Sequence, residues 1–587
     1  MEKILEKIFS NNFNIYELAN EYYDIRTPFT GLTEPKITYD SWQYAIKHLP
    51  LSIFIIKDIK VNYVLHLPGD HYDMSPSENH YTFSGWSVYD GENTQCECVV
   101  KNSTCCEIHI NLRDMYTDAC EFISNLLLHI KFMELHPDDE IIVYKKGNCE
   151  KYNYCGAVLK SNVDITTMDD VINIIVLSSP PVYSVKFNNI DFSKADVFIT
   201  NKFNSVYQSV VEYIVDFCGS NDFKVHIIQG ATTQLCLMTT DHPDYVLDDI
   251  EVTNSYGGKY EDYDRYIAKL HKRGGYELWD EINRLNSKWY KYVKISNLSY
   301  GFILLNKVVK SDKMDPCFLT LLENINKDEN CVILNIPYSF GSESYYIAKA
   351  IVKCFEDRLL SFQVIGKAGG IGDIKLNDYV IANKLSISYP DVFHIDPEKS
   401  VISLSTSDKI NETLVSSNEV TIHKGGVKIL PCVLFESKEY LESIMGDYCA
   451  IEMEGYWYSL IFNDLSILNA YLYYISDLPL LTSLAHENYP RDEGQVLFNG
   501  LIRMSFELIN SSYYSQQLIT KIGGSYILNV FKNIVNKKSN KKSNKKINRK
   551  TNKKVNKKIN RKSNIKTNKR VNKKINKKIN KKTNKKY

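Results

Sequence analysis

A mixed α/β fold, in which the C-terminal half forms a mixed sheet flanked by helices, is what three features of this 587-residue chain predict. From about Leu298, short apolar runs alternate with stretches whose apolar residues recur at helical spacing. Glycine and serine clusters separate these runs. Acidic residues stand just past the ends of two of them, in Ala450-Ile451-Glu452-Met453-Glu454-Gly455 and in Tyr474-Ile475-Ser476-Asp477.

Taken in order, residues 1–170 read as an α+β region without a motif that carries chemistry. Asp118–Lys131 repeats Ala119, Phe122, Ile123, Leu126, Leu127 and Ile130 on one helical face, while Ser52–Ile56 and Ile141–Tyr144 read as strands. Residues 171–297 form a second α/β region, with strands at Ile172–Leu177 and Val225–Ile228 and a helix over Val206–Phe217. Ser178-Ser179-Pro180-Pro181 breaks a strand pattern near the boundary of the two. Tyr256-Gly257-Gly258-Lys259 reads as a polar turn.

Residues 298–512 carry the regular pattern. Strands are expected at Val332–Ile336, Phe362–Ile365, Tyr379–Ala382, Ile429–Phe435, Ala450–Met453 and Ala470–Ile475. Helices are expected at Tyr345–Cys354, Lys438–Ile444, Gly455–Phe462 and Asp492–Asn510, with a glycine-rich turn from Gly366 to Gly372. A linker, 513–535, leads to residues 536–587, thirteen Asn-Lys-Lys-x repeats with 25 Lys and Arg and no Asp or Glu. A period of four carries no stable apolar stripe, so this basic tail is expected to be disordered. The remaining residues carry 46 basic and 70 acidic side chains, so the formal net charge of +1 conceals an acidic body and a cationic arm. Such an arm is suited to non-specific nucleic-acid or other polyanion binding, or to lying on its own acidic body.

The N-terminal run, Met1 to Phe9, contains acidic residues and is too short for a signal peptide, and no stretch approaches about 18 continuous apolar residues, so no membrane span is expected. The 14 cysteines are therefore read as reduced thiols of an intracellular, cytoplasmic protein. Cys96-Glu97-Cys98 followed by Cys105-Cys106 lacks the two spaced pairs of a zinc site, and no metal is expected.

Cleaving an N-glycosidic bond builds positive charge on the sugar and negative charge on the departing base, so a catalyst needs an acid near the base and an acceptor for the sugar. Asp477, preceded by Ser476, suits protonation of a purine nitrogen, and Glu454 suits two ribose hydroxyls. Met453 would lie against the sugar or base, Gly369 and Gly370 would let backbone N–H groups approach a ligand, and Phe435 would stack on the base. Singly, each has a plainer reading as a helix-terminal charge, a cap or a turn. Their conjunction at strand ends favours a site.

Ile365-Gly366-Lys367-Ala368-Gly369-Gly370, Ile451-Glu452-Met453-Glu454-Gly455 and Ile475-Ser476-Asp477 together resemble the nucleoside phosphorylase/nucleosidase superfamily, over roughly 298–512. Ser476-Asp477-Leu478-Pro479-Leu480 is more like the AMP-nucleosidase branch. The resemblance implies a purine nucleoside or nucleotide as substrate, a homo-oligomer (dimer or hexamer), no organic cofactor and, for a phosphorylase, inorganic phosphate as co-substrate. It assigns Glu454 to ribose, Asp477 to the base, and Met453 and Phe435 to the pocket wall. Lys367 stands where many members have a small or hydroxyl residue, and either binds phosphate or fills the pocket. Tyr473 stands where nucleosidases often have arginine. The first strand, with its phosphate loop or water-activating glutamate, is expected near Tyr300–Asn306, where neither feature occurs, so hydrolysis and phosphorolysis both stay open. So do a catalytically idle nucleoside-binding or assembly protein and a polyanion-binding structural component.

Overall fold

The structure, a computed structural model, describes residues 2–10, 13–25, 39–47, 116–146, 192–242, 276–296, 298–409, 421–431, 438–465, 467–481 and 491–521, together with short strands between 58 and 187 and a few isolated residues. Phe435, the 256–259 turn, Ser52–Ile56, Pro180-Pro181 and the tail 536–587 lie outside the described residues, as do the side chains of the Cys96–Cys106 stretch. Contacts divide the chain into Met1–Ser511 and Ser512–Tyr587. Of the second part, only the end of a helix spanning Arg491–Lys521 is described.

In the first part the helix Thr117–Leu135 is buried along nearly its whole length. Short helices at Ile15–Ile25 and Tyr39–Lys47 pack on it, and Trp42, fully buried, stacks on Phe132 at 4.8 Å and donates its indole N–H to His129 Nδ1 at 3.0 Å. The strands of this region are β1 (Asp58–Leu65), β2 (Tyr81–Phe83), β3 (Trp86–Val88), β4 (Cys96–Asn102), β5 (Cys105–Leu112), β6 (Ile141–Lys146), β7 (Cys155–Leu159), β8 (Val171–Leu177) and β9 (Ser184–Phe187). β1 lies parallel between β5 and β9, and β6 lies antiparallel between β7 and β8.

A larger sheet follows. Its strands are β10 (Lys224–Gln229), β11 (Tyr290–Ile295), β12 (Leu298–Leu304), β13 (Cys331–Ile336), β14 (Leu359–Gly370), β15 (Tyr379–Ile387), β16 (Val401–Ser403), β17 (Ile422–Ile429), β18 (Ala450–Glu452) and β19 (Leu468–Asp477). They run in the order β11-β12-β13-β10-β14-β18-β17-β15-β16, and β19 pairs with both β14 and β15. The pairings β14–β18–β17–β15–β19–β14 therefore close into a ring.

β10 and β13 are buried along almost their whole length, polar residues such as His226 and Asn335 included, because both faces of the sheet are covered. On one face, helix Phe192–Cys218 presents Ala195, Ile199, Val206, Val210 and Ile214 at helical spacing to the core it shares with helices Glu343–Phe355 and Gly455–Phe462. Elsewhere, helix Pro316–Asn324 starts on Asp315, whose Oδ1 accepts from Cys317 N at 2.8 Å and whose Oδ2 accepts from Arg503 Nε at 2.9 Å. Both partners of that ion pair are fully buried.

Four expectations change. The sheet does not begin near 298, because β10 and β11 precede that position and β10 sits at its centre, parallel to β13 and β14. The strand expected to open the parallel set near Tyr300–Asn306 is β12, which is antiparallel to β13; β10 takes that place. Gly366–Gly370 is not a turn but the end of β14, because side chains of neighbouring segments, Tyr473, Pro479 and Leu478 among them, occupy the space that β-carbons would need. β17 also ends at Ile429, where a strand was expected to start.

Removing Arg503 as Arg503→Met takes the guanidinium from a fully buried Asp315, and unfolding in denaturant should show a loss of about 3–5 kcal/mol; a loss below about 1 kcal/mol would contradict the importance of this pair. Burial pushes His226, beside Ser361 Oγ at 2.8 Å, and His129 down to about 3. A histidine held neutral in the fold contributes stability above its unfolded value of 6.5 that is lost as pH falls toward 3. Stability should therefore fall below pH 6.5 by about 1.4 kcal/mol per pH unit for each, and His226→Asn should reduce that slope in chemical melts.

Candidate functional site

β10 pairs with β14 as far as Gln229 opposite Val364, and β18 takes the same edge again only at Gly369 and Gly370. Among the described residues, Ile365 to Ala368 have no strand partner on that edge. β18 runs antiparallel to β14, so its carboxyl end points into this notch toward the carboxyl end of β10. Strand ends facing one another across an interrupted edge are where α/β sheets place ligands.

One wall of the notch is the corner after β18. The Gly455–Phe462 helix begins three residues on, and its first N–H groups have no partner within the helix. Glu452 supplies one, its carboxylate accepting from Glu454 N at 2.6 Å and from Gly455 N at 2.8 and 3.0 Å. At Gly455 a β-carbon would collide with the Tyr473 hydroxyl and lie 2.9 Å from Glu452 Oε1, so this position is closed to larger residues. Burial first, then the neighbouring Glu454, push Glu452 well above the usual carboxylate range, against the opposing pull of the two backbone N–H groups. Burial and the same two carboxylates also push the Tyr473 phenol up.

Glu454 leaves the corner half-buried, and its Oε1 accepts from Gly341 N at 3.1 Å. Gly341 has φ of 53°, and a β-carbon there would strike the Thr117 side chain, whose Oγ1 accepts from Ser342 N at 3.1 Å. The start of the Thr117–Leu135 helix thus seats the turn that meets Glu454. Met453 is half-buried beside it. On the far side, Ala231, at φ 49°, donates its N–H to the Tyr338 hydroxyl at 3.1 Å, and Asn335 Nδ2 donates to the Ile228 and Gly230 carbonyls at 3.0 and 2.8 Å. Tyr338 itself is exposed. The helix that follows, Thr232–Thr239, has no acidic residue in its first turn.

Asp477 ends β19, buried, with Ser476 Oγ donating to its Oδ1 at 2.8 Å. It lies in register with Gly369, while Tyr473 lies in register with Gly366. Three residues of strand separate the two levels, roughly 10 Å. Gly369 and Gly370 are enclosed: a β-carbon at Gly369 would be 2.8 Å from Pro479 Cγ and 3.2 Å from Asp477 Oδ2, and one at Gly370 would be 2.8 Å from Ile475 Cγ2. Both glycines are therefore packing positions for this chain's own side chains. Lys367 is exposed to solvent on the unpaired stretch and does not fill the core.

Sequence reading overlooked Glu452 as a buried cap and Gly230-Ala231 as a turn beside the notch. A glycine two positions past the strand-like run Val225–Ile228 was the available signal for the Gly230-Ala231 turn. Among the described residues no three His, Cys, Asp or Glu side chains gather as a metal site, and no helix is long and apolar enough to cross a membrane.

A protein family of unknown function, DUF6909, matches residues 301–484. No curated protein matches the chain in sequence. Among solved structures the chain is similar to a putative methylthioadenosine nucleosidase from Weissella paramesenteroides, at 13% identity and a TM-score of 0.30, covering 50% of this chain and 99% of that one. It is similar also to the futalosine hydrolase of Helicobacter pylori, at 14% identity and a TM-score of 0.31 over 49% and 98% of the two chains. The 5'-methylthioadenosine/S-adenosyl homocysteine nucleosidase of Campylobacter jejuni stands at 14% and 0.30 over 49% and 98%. Likenesses of this size carry no argument about chemistry.

A carboxyl whose folded value is raised contributes stability below its unfolded value, near 4.5, that is lost as pH rises through the folded value. Glu452→Gln should therefore gain stability relative to the parent as pH increases from 5 to 8, measured by urea melts at each pH. A difference independent of pH would show that Glu452 is ionised throughout.

Proposed function

We propose that the notch binds a purine nucleoside or nucleotide and that the chain cleaves its N-glycosidic bond, as the nucleoside phosphorylase/nucleosidase resemblance implies. The observation that supports this reading is that Glu454 stands two residues past the end of β18 and Asp477 ends β19, two strands that meet β14 at the same row, Ile451 and Asp477 both being in register with Gly369.

In this mechanism the ribose hydroxyls donate to Glu454 and displace the Gly341 N–H as its partner or share the carboxylate with it. As a carboxylate, Glu454 accepts from both hydroxyls. Asp477, oriented by Ser476, protonates or hydrogen-bonds the departing base, and Met453 supplies an apolar contact to the sugar. Lys367, exposed beside the notch, attracts a phosphate, on the substrate or as co-substrate. Phosphate is itself the nucleophile in phosphorolysis, which suits a Thr232–Thr239 helix whose first turn has no carboxylate to activate water. The same observation supports a second reading, a nucleoside-binding protein without turnover. A homo-oligomeric assembly goes with the family resemblance, and non-specific nucleic-acid or other polyanion binding by residues 536–587 goes with the reading without turnover.

The test is incubation of the full chain with a panel of nucleosides and nucleoside monophosphates, with and without inorganic phosphate, and chromatography of free base. Asp477→Asn should slow base release by about 100-fold or more, and Glu454→Gln should lower kcat/KM by about 10-fold or more. Unchanged turnover in Asp477→Asn would exclude its role; thermal stabilisation by nucleosides with no base release would establish the second reading.

A further inference from the structure

A second group of polar side chains lies away from the notch, where β15 and β17 run parallel. Alternation along the strands puts Lys384 and Ser386 on one face of β15, and the register places Lys384 opposite Gly426 and Ser386 opposite Lys428. A β-carbon at Gly426 would collide with the Lys384 stem and lie 2.9 Å from Tyr448 Cδ1, so the glycine lets both side chains lie close against β17. Lys384 Nζ is 4.5 Å and Lys428 Nζ 5.0 Å from the centre of the Tyr448 ring, and Lys428 also donates to Ser386 Oγ at 2.9 Å.

Both lysines are half-buried, and among the described residues neither makes an ion pair with a carboxylate. Burial and then the neighbouring Lys384 push Lys428 down to about 8, so the fold holds two like charges together around one aromatic ring. The ring offsets part of that repulsion, but a tyrosine face leaves ammonium N–H groups without acceptors. An ordinary surface would supply an aspartate or glutamate here. What fits instead is a compact anion with several acceptor oxygens.

We propose that Lys384, Lys428 and Ser386, over the Tyr448 ring, form a binding site for a phosphate group, either inorganic phosphate or the phosphate of a monoester. The site stands apart from the proposed glycosidic activity. Lys428 is in register with Ile451, Ile451 with Gly369, and Gly369 with Asp477, so a bound phosphate would lie two strands, roughly 10 Å, from the β14 row that Asp477 meets.

The test is thermal denaturation and calorimetric titration of the full chain with sodium phosphate, against sodium chloride at equal ionic strength. Wild type should show saturable, phosphate-specific stabilisation. Lys384→Met/Lys428→Met keeps the aliphatic stems and removes the charge conflict, so it should fold and bind phosphate at least 10-fold more weakly, while Lys428→Arg retains binding. Repeating the titration with a nucleoside monophosphate and its parent nucleoside separates the sources: tighter binding of the monophosphate identifies a monoester ligand, and equal or weaker binding identifies inorganic phosphate. Equal phosphate affinity in wild type and the double variant would assign binding to Lys367 beside the notch or to the basic tail and overturn the proposal, as would a response to phosphate no larger than to chloride.

Discussion

The carboxylate of Glu452 holds the corner on which the candidate site is built. A strand of three residues gives way to a helix within two more, and the amides exposed by that change of direction are satisfied by one buried side chain. With the corner fixed, Gly455 sits against the Tyr473 hydroxyl and Glu454 is aimed at Gly341. Gly341 in turn rests on Thr117, so the N-terminal region contributes the floor on which Glu454 is positioned. The cost is a carboxyl taken out of water beside another carboxyl, and both effects push it well above the usual carboxylate range.

The length of β14 is the second constraint. Twelve residues long, it serves β10 with its first half, β18 with its last residues and β19 along the opposite edge. No single neighbour spans it, and the interruption between β10 and β18 creates the notch. The glycines of β14 make this crowding tolerable, since Tyr473, Pro479, Ile475 and Leu478 occupy the places of their absent side chains. The same device recurs at Gly426, where the absent β-carbon admits Tyr448 and the Lys384 stem.

Much of this fold was legible in periodicity. The helices Lys438–Ile444 and Gly455–Phe462 and the strands β13 and β19 stand where apolar spacing placed them, to within a few residues. The central position of β10 was not legible, because sheet order depends on long-range pairing that local pattern does not encode. Gly366–Gly370 looked like a turn because glycine is read locally as a break, whereas here it answers to side chains more than 80 positions away. Glu454 and Asp477 stood out by falling at strand ends. Glu452 did not, since a carboxylate that turns back onto its own backbone looks the same in sequence as one that faces a ligand.

A crystal structure of the full chain with a non-cleavable purine nucleoside analogue tests the central claim most directly. The account predicts the ribose hydroxyls on the Glu454 carboxylate and the base against Asp477, with the ligand lying along the unpaired Ile365–Ala368 edge. An analogue bound elsewhere, or a Glu454 still committed to Gly341 with the notch empty at saturating ligand, would contradict it.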